Sequence, residues 1–107
     1  MDDCVFCKVI GGEFGTEFIY EDDVCVVFKD ISPKDKTHLL IVPKSHISSI
    51  ADMADADADT VSHLFMCARD VAKSLKLSGY RLQVNVGKDG GQEVFHLHVH
   101  LMSKFSS

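Results

Sequence analysis

Residues 95–102 read Phe-His-Leu-His-Val-His-Leu-Met, a strict alternation of apolar side chains with half of the chain's six histidines. A period of two predicts a β-strand with Phe95, Leu97, Val99 and Leu101 on the core face and His96, His98 and His100 in a row on the other. Such a strand needs a sheet around it and a layer to bury its apolar side. Histidine titrates near neutrality, so three in a row offer a nucleophile, an acid or base, or metal ligands. A solvated face that happens to use histidine is the plain alternative.

The rest of the chain supplies the partners. Val5, Phe6, Val9 and Ile10 keep helical spacing, predicting a short helix from Cys4 to Ile10 closed by Gly11-Gly12. Thr16 to Tyr20 and Val24 to Lys29 read as strands around the acidic turn Glu21-Asp22-Asp23, and Thr37 to Val42 as a third stopped by Pro43. From about Asp57 to Leu77 an apolar stripe of Val61, Leu64, Phe65, Ala68, Ala72 and Leu75 predicts the long helix. Asp55, Asp57 and Asp59 suit its start, Lys73 and Lys76 its close, and Gly79 follows. Tyr80 to Val86 alternates as a fourth strand, Gly87 to Val94 is a glycine-rich connection, and Phe95 to Met102 is the fifth strand. The expectation is an α+β fold: a five-stranded antiparallel sheet with one long helix and a short N-terminal helix, in a single domain spanning residues 1–107.

Charge and composition narrow the function. A net charge of -5 argues against binding nucleic acid through a basic field. No run approaches a membrane span, and Met1-Asp2-Asp3 has the wrong charge for a signal peptide, so a cytoplasmic protein is expected, the nucleus being a second compartment. In that reducing setting the four cysteines are expected as thiols, with Cys25 and Cys67 buried. Glycines in the loop before the histidine strand let backbone amides approach an anion, although that loop is not a P-loop.

Gly91-Gln92-x-Val94-x-His96-x-His98-x-His100-Leu101 resembles the signature of the histidine triad (HIT) family. Tyr20-Glu21-Asp22-Asp23, Asp30-Ile31-Ser32-Pro33 and the run from Thr37 to Val42 with Pro43-Lys44-x-His46 resemble its Hint-like branch, the purine nucleoside phosphoramidases and protein kinase C inhibitor-like proteins. The resemblance implies a nucleotidyl hydrolase or transferase acting at an α-phosphorus, usually a homodimer, with a purine nucleotide as its small-molecule partner.

Carried over position by position, His98 matches the nucleophile, His100 and His38 the groups that contact phosphate oxygens or move protons, and His96 the residue that orients the nucleophile. Asp30 matches the carboxylate that holds the ribose hydroxyls, and Phe28, Ile31, Val5, Phe6 and Val9 the walls around a purine. Asn85 matches a phosphate or ribose contact, and Gly91, Gln92, Glu93 and Val94 the loop whose backbone donors meet the phosphate. The apolar set could instead be core, and Asp30 could cap the turn before Pro33.

Cys4-x-x-Cys7 with His46 and His96 would make a tetrahedral structural zinc site, as some members carry, if the first helix crosses the sheet. Two reduced cysteines on a short helix are the alternative. A metal held by His96, His98 and His100 themselves is another. No cofactor is expected in the chemistry.

The resemblance implies hydrolysis of purine nucleoside 5′-phosphoramidates, with cleavage of dinucleoside polyphosphates or a low-activity nucleotide-binding regulatory module as alternatives. Three departures stand out. Glu93 replaces a serine thought to assist the leaving amine, the chain stops soon after His100, and Glu13-Phe14-Gly15 replaces an Ile-Pro, a loop change expected to matter little.

Overall fold

The computed structural model describes residues 3–105. Five strands, β1 (Tyr20–Glu21), β2 (Cys25–Lys29), β3 (Thr37–Pro43), β4 (Arg81–Gln83) and β5 (Val99–Ser103), form one antiparallel sheet in the order β1-β2-β3-β5-β4. Two helices, α1 (Val5–Ile10) and α2 (Ala58–Ser74), cover it. The expected α+β architecture is the observed one.

β3 is central, paired on both sides, and buried almost end to end, which is why its sequence is continuously apolar instead of alternating. Leu39 and Ile41 face the α2 side with Leu64, Ala68, Val99 and Leu101. Leu40 and Val42 face the α1 side with Phe6, Val9, Val26 and Phe28. Leu64 is wholly buried in this core, so truncating it to alanine costs about 2–5 kcal/mol.

Helix ends follow the local chemistry. The Cys4 thiol accepts the amide of Cys7, capping α1, and Gly11 closes it. The Asp57 carboxylate takes the Ala54 amide in the turn that leads into α2. Beyond α2 the left-handed position is filled by Lys76, with φ of 58°, where a glycine is the common choice.

Several boundaries shrink relative to expectation. Thr16 to Ile19 lie outside the sheet, and only Tyr20–Glu21 pair with β2. Arg81–Gln83 alone form β4, exposed throughout because they lie at the sheet edge. The last strand starts at Val99, not Phe95, because the Leu97 amide donates to Ile47 O at 2.6 Å and ties the chain to a loop. Phe95 consequently turns outward, 49% exposed. Phe65, at the margin of the α2 stripe, is also exposed, while Cys67 and Val71 are buried with the core. Among the described residues no helix is long and apolar enough to cross a membrane.

Candidate active site

The three alternating histidines are not a solvated face. His96 is fully buried and His98 nearly so, because α1 lies across them: the Phe6 ring meets His98 edge-on at 5.1 Å and His96 at 6.1 Å. His98 and His100 open on a cavity of about 570 Å3. Val5, Phe6, Val9 and Phe28 wall it on the α1 side, and Asp30, Ile31 and His38 stand at the end of β2 and the start of β3. Asn85, Gly91, Glu93 and Val94 close the remaining side.

Hydrogen bonds assign the protons on the imidazoles. His98 Nδ1 lies 2.7 Å from the His96 carbonyl, which only accepts, so Nδ1 carries the hydrogen and Nε2 keeps a lone pair. The Lys34 amide donates to His38 Nδ1 at 3.0 Å, which puts the His38 hydrogen on Nε2, 2.9 Å from His100 Nδ1. His100 Nδ1 is then the acceptor and its Nε2 bears the hydrogen. Two neighbouring rings, with centroids 4.8 Å apart, therefore carry opposite equipment at Nε2: a lone pair on His98 and a donor on His100. Among the described residues no buried side-chain nitrogen or oxygen lacks a partner, so neither Nε2 is sealed away.

Burial holds His98 below the ordinary histidine range and so in its neutral form. His100 is pushed down to about 4, first by burial and then by His98 and His38. Asp30 contributes a carboxylate at the same spot: Oδ1 accepts the Ser32 amide at 2.8 Å, and Oδ2 lies 3.4 Å from His38 Nε2. The turn-capping role weighed for Asp30 is thus present, with the second oxygen left toward the cavity side.

The glycine-rich connection is shaped by Gly87 and Gly91, with φ of 74° and 87°, values that disfavour any side chain. Gln92 is buried and does not line the cavity: its Oε1 accepts the Gly87 amide at 2.9 Å and its Nε2 donates to Ser48 O at 2.7 Å and Val94 O at 3.0 Å. Its side chain braces the loop. Asn85 lines the cavity and donates weakly to Gly91 O at 3.4 Å. Ile31, expected as a purine wall, reaches the rim but is 98% exposed.

Cys4, Cys7, His46 and His96 converge, one ligand atom from each lying within 4.8 Å of the others. Cys4 Sγ and Cys7 Sγ are 3.3 and 3.6 Å from His96 Nδ1, and Cys7 Sγ is 3.5 Å from His46 Nδ1. A tetrahedral zinc site has sulfur-to-nitrogen edges of about 3.5 Å. His96 Nε2 donates to Pro43 O at 2.8 Å, which leaves Nδ1 bare toward the thiols, the orientation a metal-bound imidazole needs. The donor set fits zinc. His96, His98 and His100 do not form a cluster of their own, because His96 faces the thiols while His98 bonds a carbonyl.

Sequence reasoning missed Phe14, Thr16, Lys29 and Lys34, all on the cavity wall. Phe14, in the loop change expected to matter little, stands at the mouth, 57% exposed. Asp22, in the expected acidic turn, organises that turn: its Oδ1 accepts the Val24 and Cys25 amides and its Oδ2 meets Tyr20 and His63 at 2.8 and 2.7 Å. Those amide bonds hold its carboxyl below the usual range against the cost of burial.

Residues 3–107 match the protein family described as "Scavenger mRNA decapping enzyme C-term binding". The chain is 42% identical to Protein HitA of Neisseria gonorrhoeae over 95% of its own length and 96% of that protein. It is 35% identical to a HIT-like protein of Synechococcus elongatus, over 94% and 90%. Its structure is similar to that of a HIT family hydrolase from Legionella pneumophila, with a TM-score of 0.90 and 40% identity over 97% and 95% of the two chains. A histidine triad nucleotide-binding protein from Candida albicans is similar at a TM-score of 0.83 and 33% identity, over 92% and 73%.

Proposed function

The chain belongs to the histidine triad family, and from that premise we propose that it is a Hint-like hydrolase of purine nucleoside 5′-phosphoramidates working through a nucleotidyl-His98 intermediate. One observation carries the reading: His98 and His100 share one cavity with a lone pair on the first Nε2 and a hydrogen on the second.

His98 Nε2 attacks the α-phosphorus, the P–N bond breaks, and the departing nitrogen takes up a proton to leave as the amine. His100 Nε2–H donates to a phosphate oxygen, and His38 holds His100 in the tautomer that can do so. His96, through its carbonyl, holds His98 in the tautomer that can attack. Backbone amides of Glu93 and Val94 donate to the charge that builds on the phosphoryl oxygens. Water then attacks phosphorus, the P–Nε2 bond breaks, the water's spare proton is released, and neutral His98 returns with the nucleoside monophosphate. Asp30 accepts from the ribose hydroxyls, Phe28, Ile31, Val5, Phe6 and Val9 bound the purine, Asn85 and Gly91 meet the phosphate or ribose, and Gln92 keeps their loop in shape.

Cys4, Cys7, His46 and His96 hold a structural zinc that tethers α1 over His98. A second copy of the chain completes a homodimer, a reading supported by the exposed edge strand β4 and by Phe65 and Met66 on the open face of α2. The cytoplasm, where thiols stay reduced, suits its four free cysteines.

Similarity to the decapping-enzyme family favours one second reading, cleavage of phosphoanhydride bonds in dinucleoside polyphosphates. Comparing kcat/KM for an adenosine phosphoramidate with that for a diadenosine polyphosphate decides. A large preference for the phosphoramidate, abolished in His98→Ala, supports the proposal; preference for the polyphosphate overturns it. Turnover unchanged in His98→Ala would point to a contaminating hydrolase and leave the chain itself a nucleotide-binding module.

A further inference from the structure

Beside the cavity over His98 lies a second, of about 420 Å3, and the two share Val5, Glu93 and Val94. A molecule seated at His98 that extends past the Glu93-Val94 backbone enters it. The two hollows differ in charge. The first sets Lys29 and Lys34 against Asp30 and Glu93, a balance that admits an anionic phosphate; the second, lined also by Cys4 and His46 of the thiol-imidazole cluster, has Asp3 and Glu93 and no lysine or arginine to offset them. Among the described residues no ion pair involves Glu93, whereas Glu21 and Asp35 are each paired with a cation. Phe95 and Val5, 49% and 41% exposed, add an apolar shelf beside it.

A substrate with an anionic phosphoryl group at one end and a cation at the other matches this polarity. We propose that the second cavity receives the leaving amine, and that Glu93 is its specificity-determining residue, favouring amines that carry a further positive charge. The inference rests on the phosphoramidase reading and names the leaving-group class for it. Glu93 is exposed, so its attraction is that of a rim charge: about three- to fivefold in kcat/KM, and weaker as salt rises.

The test uses two adenosine 5′-phosphoramidates of equal length, one made from 1,6-diaminohexane and one from 6-aminohexan-1-ol, competed in one reaction with the full chain. The wild type favours the diamine about three- to fivefold at low salt; the ratio falls most of the way to one in Glu93→Gln, where Asp3 keeps a remainder, and inverts in Glu93→Lys. A wild-type ratio near one, or a preference undiminished in Glu93→Gln, overturns the assignment of Glu93. Cleavage of a diadenosine polyphosphate with neither phosphoramidate turned over overturns the phosphoramidase reading, and this inference with it.

Discussion

His38 Nε2 stands 2.9 Å from His100 Nδ1, and the Lys34 amide donates to the other nitrogen of His38 from 3.0 Å. A backbone amide can only donate, so one hydrogen bond at the end of a turn sets the proton on two imidazoles in succession. His38→Phe keeps an aromatic ring but removes the donor, leaving His100 Nδ1 without its partner. Stability should fall by about 1–3 kcal/mol, and kcat by about ten- to a hundredfold with KM moved much less. Urea unfolding and steady-state kinetics on the variant read both.

His100 gives the fold an acid-sensitive edge. Its folded value is about 4 against 6.5 unperturbed, so between those pH values the unfolded chain binds the proton that the folded one refuses. Stability is therefore fully present above pH 6.5 and is lost as pH falls toward 4, by up to about 3 kcal/mol from this group. Urea titrations at pH 7 and pH 5 on the wild type and His100→Gln isolate it: the variant should lose less stability on acidification.

Zinc bound by Cys4, Cys7, His46 and His96 should appear as about one metal per chain in protein purified without chelators. Stripping it should lower Tm by about 10 °C or more and raise KM more than it lowers kcat, since α1 carries Phe6 onto His98. Metal-free protein with an unchanged Tm would remove the site.

Lys76 occupies a left-handed position with φ of 58° just past α2. Lys76→Gly relieves that strain against the added entropy of a glycine in the unfolded chain, a net gain of up to about 1 kcal/mol. Tm should rise by up to about 4 °C, with the turnover rate unchanged because the position is remote from the cavity.

Much of this was legible in the chain, for physical reasons that differ by residue. Alternation across Leu97, Val99 and Leu101 marks a strand because each must reach the same core. Phe95 shares the pattern but not the fate, because a backbone bond from Leu97 to Ile47 ends the pairing first, and such a tertiary bond leaves no trace in a periodicity. Gln92 beside a glycine loop looks the same whether it meets a ligand or braces the loop; only its three partners distinguish them. The resemblance pointed to His46 and His96 beside the thiols, while Lys34 sets the His38 tautomer through its backbone amide, a role in which side-chain identity carries no signal. Phe14 reached the cavity mouth from a loop whose path no local rule predicts.

Covalent participation of His98 is the step on which the proposed chemistry turns. Adenosine phosphoramidate should be mixed with excess enzyme, quenched with base to preserve the acid-labile P–N bond, and analysed by mass spectrometry with peptide mapping. An added nucleotidyl mass should appear on His98 alone, formed and lost at rates that match turnover. Full turnover with no adduct, or an adduct on another residue, would contradict covalent participation of His98.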